Sequence, residues 1–214
     1  MAPKLTIAER LLAAQVAIEN ALGDADIRAA LSGFGYDEAR LRAGKARYDE
    51  ATALANRQKA EYGDQYGATE AVKSAWAEAD RAYRVALQVA RVAFKGRPQA
   101  HAALMLDGER QRSLPGWLEQ ATVFYANLLG DADLLARLGN FGYTPARLTA
   151  EYAQVQAVAA ANLAQEREKG EAQDATRQRD ATLDELDAWL ADFKAIAQAA
   201  LAEHPEWLEK LGWK

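Results

Sequence analysis

Apolar residues recur along two long stretches of the chain at alternating steps of three and four positions, which is the spacing of one helix face. One stretch runs from Leu41 to Ala93 and the other from Leu148 to Ala200. In both, the two ends of this face are apolar and the middle is polar. The pattern predicts long helical segments with the heptad spacing of coiled coils.

Two arrangements fit each stretch. In the first, residues 63–67 and 170–174 are short turns that join two antiparallel helices into a hairpin. In the second, each stretch is one helix of about 58 residues, which the unbroken heptad phase favours. Mean helices are only about 11–12 residues long, and Gly63 and Gly170 stand where a helix C-terminus would place glycine. We expect the hairpin.

A phrase near the start of the chain is almost repeated in its second half. GDADIRAALSGFGYDEARL begins at Gly23, and GDADLLARLGNFGYTPARL begins at Gly130, 107 residues later. At this offset 14 of the 22 residues from Asn20 to Leu41 are identical, and scattered identities keep the register beyond them. We expect a tandem duplication whose helical units, 1–107 and 108–214, pack together about an internal pseudo-two-fold axis.

The repeated phrase also predicts helix boundaries, because Asp and Thr side chains cap helix N-termini and proline interrupts helices. Aromatic residues beside its glycines are expected to pack as anchors where the chain turns into the long segment. These anchors are Phe34, Tyr36, Phe141 and Tyr143. The expected N-caps are Asp24, Asp131, Asp37 and Thr144, and the breaks before two short terminal helices are Pro98 and Pro205.

Composition supports an all-α protein. The chain is rich in alanine, contains only five prolines and no cysteine, and lacks the β-branched and aromatic runs of strands. Its net charge of −5 argues against nucleic acid as a partner, and we interpret the small basic cluster with Arg110 and Arg112 as a solvated linker. No stretch has the roughly 18 continuous apolar residues of a membrane span, and no signal peptide is recognisable. We expect a cytoplasmic protein.

Residues with catalytic or metal-binding chemistry are sparse. His101 and His204 have no neighbouring ligand at metal-binding spacing. Asp24 and Asp26 form an Asp-x-Asp pair that lacks the rest of a calcium loop, so helix capping is the preferred explanation. We assign no catalytic residue, no metal and no cofactor.

The polar middle of the long segments is the candidate ligand site. If both copies approach the symmetry axis there, their polar side chains could converge on a shared pocket or a buried network. A solvated turn is the preferred alternative. The candidate residues are Gln58, Glu61, Thr69, Gln165, Glu168, Thr176, Arg179 and Asp180.

The C-terminal segment is the candidate interaction surface. It places Trp207 and Leu211 on one side of a short helix, with Trp213 after it. Folding of this helix back onto the bundle is preferred, and a docking surface is the alternative, because tryptophan is common at binding hot spots.

Two functions follow. The first is a structural or protein-interaction module that self-associates or binds a protein partner, without catalysis; it depends on the duplication and the apolar seams. The alternative is a small-polar-ligand-binding bundle, or an enzyme, with its site at the internal two-fold axis.

Overall fold

The computed structural model describes residues 5–213 and is all-α, as the sequence predicts. The ends of the two expected units, residues 1–4 and residue 214, lie outside this range. In the described part the second four helices repeat the lengths of the first four, which are 17, 8, 56 and 6 residues. The helices are α1 (Ile7–Gly23), α2 (Ala25–Ser32), α3 (Glu38–Ala93), α4 (Pro98–Ala103), α5 (Leu114–Gly130), α6 (Ala132–Gly139), α7 (Pro145–Ala200) and α8 (Pro205–Lys210).

The two long segments are single helices, so the expected hairpins are wrong. α3 and α7 each contain 56 residues and pass without a break through residues 63–67 and 170–174. A glycine inside a helix costs only about 1 kcal/mol relative to alanine, which is too little to end a helix whose apolar face continues on both sides. Gly63 and Gly170 are therefore helix residues and not caps.

The predicted N-caps are confirmed. Asp24 Oδ1 accepts hydrogen bonds from the Asp26 and Ile27 amides at 3.0 and 3.2 Å, and Asp131 does the same for the corresponding residues of α6. Asp37 Oδ1 and Thr144 Oγ1 accept from amides in the first turns of α3 and α7, at 2.9 and 3.2 Å. Each cap satisfies amide groups that have no partner within the helix.

The chain divides into two compact units that do not follow the two halves of the sequence. The first unit comprises the chain up to Tyr62 and from Glu171 onward, and the second comprises Gly63–Gly170. The expected boundary after residue 107 lies inside the second unit. Each unit contains part of α3 and part of α7 together with three shorter helices.

In the first unit, α1, α2 and α8 pack on the first part of α3 and the last part of α7. Leu41 clusters with Phe193, whereas Ala51, further along α3, clusters with Leu183, so the two long segments are antiparallel there. Gly44 has a specific role, because the Trp189 ring would lie 2.3 Å from a Cβ at this position. Only glycine lets the tryptophan approach the backbone this closely.

The second unit has an aromatic core. Trp117, Phe124 and Tyr125 of α5 pack around Tyr83 of α3 with ring centroids 5.4–6.1 Å apart. The hydroxyl of Tyr125 donates to the buried Glu151 carboxylate at 2.9 Å. Since buried carboxylates need partners, this bond is part of what makes the burial of Glu151 tolerable.

Candidate functional site

The polar residues expected at a shared site are divided between the two units. Gln58, Glu61, Thr176, Arg179 and Asp180 belong to the first unit, and Thr69, Gln165 and Glu168 belong to the second. All eight lie inside the long helices, so the preferred explanation, a solvated turn, is wrong. The shared pocket on a symmetry axis stays a prediction.

In the second unit two of these residues are directly bonded. Gln165 Nε2 donates to Thr69 Oγ1 at 3.0 Å, and this hydroxyl donates to the Gln65 carbonyl at 2.9 Å. The chain of bonds links α7 to α3 within the unit. It satisfies half-buried polar groups, and the Thr69 hydroxyl proton is used in a hydrogen bond within the protein.

The acidic members of the set are paired with nearby arginines. Glu61 accepts from Arg57 at 3.2 Å, and Glu168 accepts from Arg167 at 2.9 Å. The first pair lies within α3 and the second within α7. The arginine of each pair is largely exposed, and such pairs contribute little to stability.

Within the first unit, a cleft of about 370 Å³ opens between α1, α3 and α7; we call it the first-unit cleft. Gln58 and Arg179 of the predicted set line it, and the other six residues of that set do not. Ile7, Leu11 and Ala55 give it an apolar side. Its remaining lining residues are Thr6, Ala8, Thr52, Asn56 and Lys59.

The turn before each long helix buries one aromatic residue and exposes the other. Tyr36 and Tyr143 are 1% exposed, which confirms their predicted role as packed anchors. Phe34 and Phe141 are 51% and 46% exposed, so the same prediction is wrong for them. The intervening glycine has a positive φ of about 80° in both turns, and this left-handed residue separates the outward phenylalanine from the inward tyrosine.

Each of these turns also holds an arginine that sequence reasoning missed. The Arg40 guanidinium lies 4.2 Å from the Tyr36 ring centroid, and Arg147 lies 3.8 Å from that of Tyr143. The signal was present, because both arginines stand four residues after the tyrosine in the repeated phrase. We call each set a Phe–Arg corner: Phe34, Tyr36 and Arg40 in the first unit, and Phe141, Tyr143 and Arg147 in the second.

Two of the three residues named for the alternative C-terminal interaction surface are not exposed. Leu211 is fully buried and Trp213 is 7% exposed, because both pack in the core of the first unit with Phe193. Trp207 is half-buried and stacks on His204 with centroids 4.1 Å apart. The terminal helix folds back onto its unit, which is the arrangement preferred from sequence.

The basic segment before α5 is only partly the solvated linker that we expected. Arg112 is exposed, but Arg110 pairs with the Asp80 carboxylate, which also accepts from Trp117 Nε1 at 2.8 Å. Asp80, Arg110 and Arg112 border a second, more open cleft of about 280 Å³ inside the second unit, with Trp76 in its wall. Arg110 therefore holds the segment to α3.

The fold and these contacts define an all-α protein with two helical units. No helix among residues 5–213 is both long and apolar enough to cross a membrane. Comparison of the chain with family models, with curated proteins and with solved structures gives no match.

Proposed function

We propose that the protein is a structural and protein-interaction module, formed by tandem duplication, that associates with itself or with a protein partner through its two Phe–Arg corners. The observation that carries the proposal is that the same exposed phenylalanine and the same tyrosine-stacked arginine occur in both units. A cytoplasmic location, the absence of catalysis and the exclusion of nucleic acid stay predictions alongside it.

Matched contacts support the duplication. Asn20 Nδ2 donates to the Lys210 carbonyl at 2.5 Å in the first unit, and Asn127 Nδ2 donates to the Ala103 carbonyl at 2.6 Å in the second. Both members of one pair stand 107 positions from a member of the other. The same offset relates the starts of all four pairs of helices. An internal pseudo-two-fold axis and coiled-coil packing of the seams belong to the same proposal.

The corners have the composition of an interaction site. Aromatic residues and arginine are enriched at protein–protein interfaces, where they supply large contact areas and several hydrogen-bond donors. Here the turn fixes the phenylalanine backbone: the Phe34 and Gly35 amides donate to carbonyls of α2 at 3.0 and 3.1 Å. Stacking on Tyr36 also restricts Arg40, so less side-chain entropy is lost on binding.

Core packing does not require phenylalanine at these positions. About half of each ring is exposed, whereas Leu31 and Tyr36 on either side of Phe34 are buried. An exposed single apolar residue needs no explanation by itself, but its recurrence on the same turn of both units favours a contact with another protein.

The test combines sedimentation of the purified chain over a wide concentration range with partner capture. We expect the double variant Phe34→Ser/Phe141→Ser to lower self-association or partner capture at least about tenfold. The matched control is Leu12→Ser, because Leu12 is 60% exposed on α1 and lies outside both corners.

Circular dichroism first establishes that both variants are folded. Two results together would contradict the proposal. The unsubstituted chain would be a monomer at every concentration, and no captured partner would be kept by the control and lost by the double variant. Equal association by both variants would instead move the interface away from the corners.

A further inference from the structure

The first-unit cleft joins an apolar wall to a cationic one. Ile7, Leu11 and Ala55 form the apolar part, and Lys59 and Arg179 carry the charge. No acidic side chain is among its lining residues in the described part of the chain. The lining is therefore suited to a small molecule with an apolar body and a negative end.

A buried hydroxyl in the cleft wall has no partner. Thr52 Oγ1 is shielded from solvent and makes no hydrogen bond in the described structure. By contrast, Thr69 and Thr176, the two threonines of the predicted polar set, each donate to the carbonyl four residues earlier at 2.9 Å. An unsatisfied buried hydroxyl costs about 1–3 kcal/mol. Because Thr52 has no partner, its hydroxyl keeps donor and acceptor capacity that the protein does not use.

Asp180 holds Arg179 in place but uses only some of its hydrogen-bond donors. Its side chain is only 13% exposed, and its Nε and Nη2 donate to one oxygen of Asp180 at 2.9 and 2.6 Å. A guanidinium has five N–H donors, so others remain for a second anion. Asp180 is 55% exposed, and solvent weakens its hold on the arginine.

The second unit provides an internal comparison. The residues 107 positions away from Arg179, Thr52 and Lys59 are Val72, Ala159 and Glu166. The second unit forms the same helices with these residues, and Val72 is buried there. The helical scaffold therefore does not need the cation and the hydroxyl that the first unit carries.

We infer that the first-unit cleft binds a small amphipathic carboxylate. The carboxylate lies against Arg179 and Lys59, and a short hydrocarbon or aromatic body covers Ile7 and Leu11. The volume of about 370 Å³ lies near the lower end of the range of about 300–1,000 Å³ for small-molecule sites. This site is independent of the Phe–Arg corners.

Octanoate is the probe, and backbone-amide NMR of the intact, isotope-labelled chain is the readout. We expect saturable shifts that centre on Ile7, Leu11 and Thr52. Octanol has the same hydrocarbon chain without the charge and inorganic phosphate has the charge without the chain, so each should bind at least about tenfold more weakly. Equal binding of either control, or the absence of saturable shifts with octanoate, would overturn the inference.

Arg179→Gln should weaken octanoate binding at least about tenfold. The matched control Arg177→Gln removes an arginine from the same helix that is 73% exposed and outside the cleft, and it should change binding less than about twofold. If Arg179→Gln does not fold, Ala8→Phe replaces it as the test, because Ala8 is an exposed lining residue whose enlargement obstructs the cleft and should weaken binding. Unchanged octanoate binding in whichever of these two variants is folded would contradict the proposal.

Discussion

At the scale of single residues, the partners of a buried polar atom decide what it contributes. Tyr83 and Tyr125 are both fully buried in the second unit. Tyr125 donates to Glu151 at 2.9 Å, whereas the Tyr83 hydroxyl has no partner in the described structure. Loss of a satisfied hydrogen bond costs stability, but removal of an unsatisfied hydroxyl relieves a desolvation cost.

These two tyrosines should respond oppositely to the same substitution. We expect Tyr83→Phe to leave the free energy of unfolding at pH 7 unchanged or to raise it by up to about 1 kcal/mol. Tyr125→Phe should lower it by about 1–3 kcal/mol, since Glu151 loses a buried donor. Urea denaturation at pH 7 measures both, and a larger loss for Tyr83→Phe would contradict the assignment.

Alkaline pH provides a second test at this scale. Burial raises the pKa of Tyr83 above the ordinary value of 10.0. Above pH 10 the folded state therefore keeps a proton that the unfolded state releases. The free energy of unfolding has its full value with respect to this group below pH 10 and falls as the pH rises further. Between pH 10 and the raised pKa, we expect Tyr83→Phe to reduce the decline by about 1.4 kcal/mol per pH unit. Denaturation curves at several pH values measure the slope, and identical slopes would contradict the raised pKa.

The aromatic residues of the corners differ in the same measurement. Tyr36→Ala should lower the free energy of unfolding by about 3 kcal/mol or more, because a buried ring leaves a cavity. Phe34→Ala and Phe141→Ala should each change it by less than about 1 kcal/mol, because about half of each ring is already in water. A loss as large for Phe34 as for Tyr36 would show that the phenylalanine has a packing role.

At the scale of elements, the long helices tolerate glycine for two different reasons. Gly44 is needed because the Trp189 ring occupies the place of a side chain. Gly63 and Gly170 have no atom within 4 Å of a Cβ position, so nothing in the described structure requires glycine there. The residue type is the same, but the environment reverses its effect on the helix.

Alanine substitution should separate these cases. Gly44→Ala should lower the free energy of unfolding by about 1–3 kcal/mol, because Trp189 must move. Gly63→Ala and Gly170→Ala should each raise it by about 0.5–1 kcal/mol through helix propensity and the less flexible unfolded chain. Thermal and urea denaturation measure all three, and destabilisation at Gly63 or Gly170 would indicate a break in the helix.

At the scale of the whole molecule, each unit depends on residues from both halves of the chain. The core of the first unit combines α1 and α2 with Phe193 of α7 and Leu211 and Trp213 after it. The two halves of the sequence are therefore not two independent structural units. Removal of either end of the sequence should affect one unit more than the other.

Deletion of residues 205–214 tests this dependence. We expect several kcal/mol of lost stability, since burial of one large apolar side chain contributes about 1.5–3 kcal/mol. Amide hydrogen exchange should rise most in residues 5–62 and 171–204 and less in 63–170. Uniform acceleration over the whole chain, or none, would contradict the division into units.

Local features of the sequence determined the all-α fold class and most helix boundaries. An N-cap such as Asp24 or Thr144 acts on amides two or three residues away, so its effect is readable from the sequence. Proline at position 98 or 205 likewise acts on its own turn. The inward role of Tyr36 was also predicted, because a corner between helices needs an apolar plug.

Tertiary structure alone decided which residues became available for function. Phe34 and Tyr36 have similar apolar rings, and only the direction of the chain across Gly35 exposes one and buries the other. The sequence left a docking surface open as the alternative for Leu211 and Trp213, and the tertiary structure buries both in the core of the first unit. Thr52 and Arg179 are distant in sequence and share a cleft only because α3 and α7 are antiparallel in the first unit. Helix continuity through Gly63 and Gly170 has the same origin, because core packing of each long helix in both units outweighs a local cost of about 1 kcal/mol.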